Sequence, residues 1–231
     1  MPSSNLVAFI LGAGTNVGAA LAAKLHENGY RVALGSRNPK VAETGNEAYF
    51  EVKVYVQNRQ SIESAFDIVV EKLGPVSVVI YNGTFLAASV HIPENNIDFL
   101  SLTDEDYQES AAIGLGMFTA ARKALSSFRQ PVHRDHPKSF IITGNILPFD
   151  QYAPPNFYAL GVQKTLQARF AATAAKAYEA ENIQFYYATL VSETGGIPAL
   201  SIFVKSGPAH AKVYWDLINN EKQEDWNHQY A

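Results

Sequence analysis

A tyrosine and a lysine in the segment NFYALGVQK have the side chains of an acid–base pair. The phenol of Tyr158 can donate a proton, and an ammonium group such as that of Lys164 can lower a phenol pKa from about 10. Side chains at positions i and i+4 share one face of a helix, but these two residues are six positions apart. Their directions on a regular helix differ by about 120°. One regular helix therefore cannot direct both groups at the same substrate.

Further polar candidates follow the apolar run Ser139–Thr143. Thr143 and Asn145 would lie at the carboxyl end of a central strand, where open α/β sheets bind their ligands. Either side chain could hydrogen-bond a carbonyl oxygen, but an amide such as Asn145 can orient a substrate without acting as a base. Asp150 and Tyr152 follow in the same loop and are reserve proton donors.

A glycine-rich turn near the N-terminus is typical of a dinucleotide-binding site. It follows the apolar run Leu6–Leu11 and precedes an alanine-rich segment, so the order is strand, turn, helix. Glycines let the backbone approach a pyrophosphate, and the helix N-terminus supplies amide donors. The spacing G-x-G-x-x-x-G completes neither common nucleotide-binding pattern, and a tight turn without a ligand is the alternative. The predicted cofactor contacts are Gly12, Gly14, Thr15, Asn16, Val17 and Gly18.

The end of the second predicted strand indicates which nucleotide binds. A carboxylate there accepts from the ribose hydroxyls of NAD, whereas a basic residue accommodates the 2′-phosphate of NADP. This sequence has Ser36 and Arg37 instead of a carboxylate. Arg37 can form charge-assisted bonds to a phosphate, and Ser36 can add a hydroxyl, so NADP(H) is the predicted cofactor. The alternative is that Arg37 is a solvated surface cation.

Short strands that alternate with helices must position these groups. This alternation predicts one domain over residues 1–231, an α/β doubly wound Rossmann fold with a seven-stranded parallel sheet in the order 3-2-1-4-5-6-7 and helices on both faces. The predicted strands are Leu6–Leu11, Tyr30–Leu34, Phe50–Val56, Val76–Asn82, Ser139–Thr143, Gln184–Leu190 and Leu200–Val204. The predicted helices are Asn16–Asn28, Ser61–Leu73, Thr103–Phe128 and Phe157–Ala180.

Composition excludes several classes of function. The net charge of −4 and the absence of a basic run argue against nucleic acid as a partner. With no cysteine, disulfides and Cys-ligated zinc are excluded, and the pair His133 and His136 lies in a loop between prolines, so no metal site is expected. The apolar run near the N-terminus is too short to span a membrane, and a cytoplasmic location is expected.

These motifs, in this order, resemble the short-chain dehydrogenase/reductase family over nearly the whole chain. Thr143-Gly144-Asn145 and Leu160-Gly161-Val162-Gln163-Lys164 are similar to motifs of a divergent, fungal-type subgroup. The resemblance places Asn82 and Gly83 in the cofactor-binding turn after the fourth strand. Several family positions differ in this chain: the middle glycine is Asn16, the adenine-binding Asp is Tyr55, the helix Asn is Ile113, the Ser falls on or near Asn145, and Tyr-x-x-x-Lys gives Tyr158 with Val162.

The resemblance implies that a tyrosine donates a proton while a lysine holds the nicotinamide ribose. In one arrangement Lys164 takes the ribose role and Leu160 falls where the tyrosine should be. In another, Tyr158 lies ahead of the helix proper, after Pro154 and Pro155, and bends over the site. In a third, Tyr158 is a core residue and Lys164 a surface residue, and neither does chemistry.

The leading hypothesis is therefore an NADP(H)-dependent oxidoreductase that acts on a carbonyl, imine or enone of a small apolar molecule. The candidate catalytic residues are Tyr158, Lys164, Asn145 and Thr143. A nucleotide-binding sensor without redox activity, or an isomerase or cyclase on the same fold, are the alternatives. A homodimer or homotetramer is expected through the alanine-rich helices Thr103–Phe128 and Phe157–Ala180, since relatives commonly pair through these helices.

Overall fold

The computed structural model of the protein describes residues 6–39, 48–83, 98–149, 151 and 154–231. Its seven strands form one sheet in the order β3-β2-β1-β4-β5-β6-β7, and every neighbouring pair is parallel. The predicted parallel sheet and its strand order are therefore confirmed. The strands are β1 (Val7–Leu11), β2 (Arg31–Ser36), β3 (Tyr49–Lys53), β4 (Val76–Tyr81), β5 (Ser139–Thr143), β6 (Gln184–Leu190) and β7 (Asn227–Tyr230).

Helices cover both faces of this sheet. In the described part of the chain they are α1 (Val17–Glu27), α2 (Arg59–Leu73), α3 (Asp104–Phe128), α4 (Tyr158–Ala177), α5 (Leu200–Phe203) and α6 (Gly207–Ile218). Side chains of α2, α3 and α4 share one apolar core with the sheet, and those of α1 and α6 share the other. The central strands β1, β4 and β6 are buried along their whole length, as expected for strands covered on both faces. None of the described helices is long and apolar enough to span a membrane.

The N-terminus of α3 follows the sequence prediction. Thr103 is the N-cap: its hydroxyl accepts from the Asp106 amide at 3.1 Å, and Asp106 reaches back to the Thr103 amide at 3.4 Å. This capping box satisfies two of the amide groups that a helix start leaves without a partner. Asp104, Glu105 and Asp106 also place negative charge at the positive end of the helix dipole.

The predicted position of the seventh strand is wrong. The apolar run Leu200–Val204 is not a strand: it contains α5, and its large side chains are exposed. The seventh strand is instead β7, with the polar sequence NHQY, which pairs with β6 at the edge of the sheet. Backbone hydrogen bonds hold an edge strand without an apolar pattern, so a search for apolar runs does not find it.

Candidate active site

The glycine turn joins the carboxyl ends of three strands. Gly12 has a φ of +88°, and a Cβ there would lie 2.8 Å from backbone atoms of Asn82 and Gly83. The amides of Gly12 and Ala13 donate to the Gly35 carbonyl, at 2.9 and 3.0 Å. The Asn82 side chain donates to the Gly12 carbonyl at 2.9 Å. Only a residue without a side chain fits at position 12, and Asn82 holds the turn in place.

A cavity of about 300 Å³ opens above this turn. It brings together residues that the sequence assigns to the cofactor from three separate segments: Gly12, Gly14, Ser36, Arg37, Asn82 and Gly83. Thr15 is exposed and Val17 is half-buried at the start of α1, while Gly18 is buried, where a Cβ would lie 2.7 Å from the Cα of Ala13. Because residue 18 has no side chain, the start of α1 can pack directly against the turn.

Asn16 occupies the N-cap position of α1 but does not cap it. Its side chain makes no capping hydrogen bond within the helix. Instead its Nδ2 donates to the Phe203 carbonyl at 3.1 Å, and its Oδ1 accepts from the Gly207 amide at 2.9 Å. The side chain predicted to contact the cofactor is therefore engaged with a segment nearly two hundred residues away along the chain. Nothing in the local sequence of the turn indicates this contact.

Lys164 and Thr143 meet at the carboxyl end of β5. The Lys164 ammonium donates to the Thr143 carbonyl at 2.7 Å, and the Thr143 hydroxyl accepts from the phenol of Tyr214 on α6 at 3.0 Å. Lys164 is only 3% exposed, so it is not the surface residue of the third arrangement. Burial disfavours the charged form of the amine and lowers the pKa of Lys164 to about 7.

Asn145 is held by a residue that the sequence analysis missed. The phenol of Tyr187 on β6 donates to the Asn145 carbonyl and accepts from its amide, each at 2.9 Å. The side-chain Oδ1 of Asn145 accepts from the Leu147 amide at 3.0 Å. This bond fixes the orientation of the Asn145 side-chain amide. Tyr187 lies in an apolar run that marked it only as a strand residue, so the pattern gave no sign of this contact.

Tyr158 lies on a different side of α4 from Lys164. It is the first residue of α4, its ring centroid is 4.7 Å from that of Phe99, and it lines an apolar cavity of about 350 Å³ together with Val162. Leu160, one turn before Lys164, is buried on the same helix face as the lysine. The structure thus brings Lys164 together with Thr143, but it does not bring Tyr158 to them. The reserve donors Asp150 and Tyr152 lie outside the described residues.

The described residues fit a dinucleotide and show no metal centre. The turn offers a cradle that any Cβ at position 12 would fill, and the start of α1 carries no side-chain cap, so its amides can face an anion. No group of three or more His, Asp or Glu side chains that could hold a metal ion is found in this part of the chain.

Comparison with known proteins gives the family. The pattern of the short chain dehydrogenase family matches residues 6–143, more than half of the chain. The short chain dehydrogenase/reductase dmxR12 of Cryptosporiopsis sp. is 28% identical over 230 residues, which cover 96% of this chain and 90% of that protein.

Solved structures share the fold at low identity. A metagenomic short-chain oxidoreductase in complex with NADP has a TM-score of 0.77 at 16% identity, with 98% of this chain and 97% of that one covered. A 3-ketoacyl-(acyl-carrier-protein) reductase from Brucella melitensis complexed with NADH has a TM-score of 0.67 at 17% identity, with 80% and 74% covered. The family pattern, the fungal relative and the fold agree, and the chain belongs to the short-chain dehydrogenase family, an oxidoreductase family that uses nicotinamide cofactors.

Proposed function

We propose that this protein is an NADP(H)-dependent oxidoreductase that reduces a carbonyl, imine or enone of a small apolar molecule. The observation that carries the proposal is the cavity above the glycine turn, in which Ser36 and Arg37 at the end of β2 face the same space as Gly12 and Gly14. A guanidinium in this position favours a 2′-phosphate, because it forms charge-assisted hydrogen bonds to phosphate oxygens. Ser36 adds a hydroxyl donor at the same strand end.

In this proposal the protein's own residues bind and orient, while the cofactor would supply the hydride and a water molecule the proton that the substrate takes up. Lys164 extends from α4 to the end of β5 and donates to the ribose hydroxyls of the nicotinamide half. Its bond to the Thr143 carbonyl supports this role, because it fixes the ammonium at the strand end. Asn145 directs its Nδ2 to the substrate oxygen, since its Oδ1 is occupied by the Leu147 amide.

The apolar nature of the substrate is inferred from the side chains near α5. Ile197, Leu200, Ile202, Phe203 and Val204 are all exposed. Their segment is bonded to the glycine turn through Asn16. Apolar side chains at the edge of a binding site favour an apolar ligand, because its binding removes both surfaces from water.

The test is a pair of cofactor titrations on the wild type and on Arg37→Ala. Binding of NADPH and NADH is followed by nucleotide fluorescence, and turnover by loss of nicotinamide absorbance on a panel of ketones, imines and enones. Loss of the charge-assisted contact should weaken NADPH by about 1.5–3 kcal/mol and leave NADH nearly unchanged. An equal effect on both cofactors would show that Arg37 does not contact the 2′-phosphate. Arg134→Ala is the matched control, because Arg134 is an exposed arginine in the loop before β5, far along the chain from the turn.

One observation favours a second candidate without hydride transfer. The residue that shares the buried helix face of Lys164 one turn earlier is Leu160, which has no proton to give. A nucleotide-binding sensor, or an isomerase or cyclase, needs no such donor. Tight NADPH binding without turnover on any member of the panel would support this candidate and contradict the reductase.

A further inference from the structure

Asn16 links the nucleotide-binding turn to residues 197–206, which we call the strap. The strap contains α5 and ends just before α6. Asn16 is bonded to both sides of the junction between the strap and α6, because its Nδ2 reaches Phe203 and its Oδ1 reaches Gly207. A primary amide has one donor end and one acceptor end, and each end of the Asn16 amide is used on this junction.

The junction is shaped to receive Asn16. A Cβ on Gly207 would lie 2.9 Å from both the backbone oxygen and the Oδ1 of Asn16, and 3.1 Å from the Cβ of Ala20. Glycine at 207 therefore permits the approach of α6 to the start of α1. The Phe203 carbonyl also accepts from the Ser206 hydroxyl at 2.7 Å, so the end of α5 is fixed by two side chains.

Within the described part of the chain, few other side-chain hydrogen bonds attach the strap to the body of the protein. Its apolar side chains point to solvent, with Leu200 76% exposed, and burial therefore contributes little to its position. Gly195, with a φ of +79°, and Gly196 precede it. At the other end, Ser206, Gly207 and His210 are buried against the body of the protein. The Asn16 bonds thus lie where an exposed segment joins a fixed one.

We propose that Asn16 is a positioning residue that fastens the strap to the glycine turn, so that occupation of the turn by a dinucleotide and the placement of the strap are coupled. The cofactor-dependent half of this inference rests on the proposed function. A glycine at position 16 could not make the hydrogen bonds to Phe203 and Gly207. Asn16 makes them, and so holds the apolar side chains of α5 at the edge of the site before cofactor or substrate binds. It does so without capping α1, which leaves the first amides of the helix directed at the turn.

The experiment is limited proteolysis with trypsin, with the cleavage sites assigned by mass spectrometry. Lys205 is an exposed residue inside the strap and reports on it directly. Without cofactor, Asn16→Ala should be cleaved after Lys205 roughly tenfold faster than the wild type, as expected for the loss of two ordinary hydrogen bonds. Asn16→Asp keeps an acceptor for the Gly207 amide but loses the donor to Phe203, and it should fall between the two.

Asn28→Ala is the matched control, because Asn28 also donates from its side chain to a backbone carbonyl, at the opposite end of α1. It should be cleaved at Lys205 no faster than the wild type. The inference is overturned if Asn16→Ala is cleaved at Lys205 no faster than Asn28→Ala. It is equally overturned if cleavage at sites in α2, α3 and α4 rises in parallel, since that pattern reports global unfolding.

The cofactor arm separates this inference from the proposed function. NADPH should protect Lys205 in the wild type, and the protection should be several-fold weaker in Asn16→Ala at saturating cofactor. If NADPH binds the wild type without changing cleavage at Lys205, the coupling is wrong. If NADPH does not bind at all, the proposed function fails, while the cofactor-free comparison still decides whether Asn16 holds the strap.

Discussion

The chemistry of Lys164 depends strongly on its surroundings. It is almost fully buried, and its folded-state pKa of about 7 lies below the ordinary value of 10.5. Between these two pH values the unfolded chain binds a proton that the folded chain does not. The free energy of unfolding of the wild type should therefore rise with pH across this window, relative to a variant without the amine. Below pH 7 both states are protonated and the difference is constant.

Lys164→Met measures this effect directly. Urea unfolding of the wild type and the variant at several pH values should give stability curves that diverge between about pH 7 and 10.5, by up to about 1.4 kcal/mol per pH unit. Loss of the hydrogen bond to Thr143 changes the free energy of unfolding by the same amount at every pH. The slope of the stability difference against pH therefore reports the pKa shift of Lys164. Lys176→Met, at an exposed position of the same helix, should give a curve parallel to the wild type. Parallel curves for Lys164→Met would show that the amine titrates normally.

Single residues show which parts of the site can be predicted from sequence. The glycine turn and the position of Arg37 beside it are predictable because each directly follows a strand that the sequence indicates. The partners of Asn16 and Asn145 are not predictable in this way, since Phe203, Gly207 and Tyr187 lie far away in sequence. The divergence of Tyr158 from Lys164 follows from helix geometry alone, and the structure places them accordingly.

At the scale of elements, two helical glycines should respond to the same substitution in opposite ways. Gly116 in α3 packs on the connection after β3, and a Cβ there would lie 1.8 Å from the Val56 carbonyl oxygen. Backbone cannot move aside as a side-chain end can, so Gly116→Ala should cost several kcal/mol or prevent folding. Gly161 in α4 has its nearest such contact at 3.9 Å, to Leu147.

Gly161→Ala is therefore the control for Gly116→Ala. It should stabilise the protein by about 0.5–1 kcal/mol, because alanine loses less backbone entropy than glycine in a helix. Urea unfolding followed by circular dichroism compares the two variants. A Gly116→Ala variant as stable as the wild type would contradict the close packing of α3 on the Val56 carbonyl, and a destabilised Gly161→Ala would contradict the open surroundings of Gly161.

Helices and strands also differ in how well they can be predicted from the sequence. The long helix α3 is found within one residue at its start because its cap, acidic first turn and apolar spacing agree. The segments after β6 are not found, for a physical reason. The apolar run at 200–204 has its side chains in solvent instead of in a core. The strand β7 has a polar sequence, and it pairs with β6 while Tyr230 packs against the apolar core.

For the molecule as a whole, the parallel sheet and its order follow from the alternation of strands and helices, since each crossover must return over one face. Oligomeric assembly is harder to predict from the sequence than the fold. The structure leaves Leu115 and Phe118 of α3 and Leu166 of α4 exposed, and the two helices pack side by side. Because burial of such a face lowers the free energy, we predict that copies of the chain associate through it.

Leu115→Lys combined with Phe118→Lys should abolish this association. Two charges on one helix face cannot be buried against a copy of the same face without partners. Light scattering should show a homodimer or homotetramer for the wild type and a species near the 25.3 kDa chain mass for the variant. Ile68→Lys, at an exposed apolar position of α2, should leave the assembly intact. A wild-type chain that scatters as a monomer would refute the prediction, and a double variant that stays oligomeric would place the interface on another face. Because Phe118 also packs edge-on against Phe170, the variant should stay folded but with an unfolding midpoint somewhat below that of the wild type once the contribution of association to stability is subtracted.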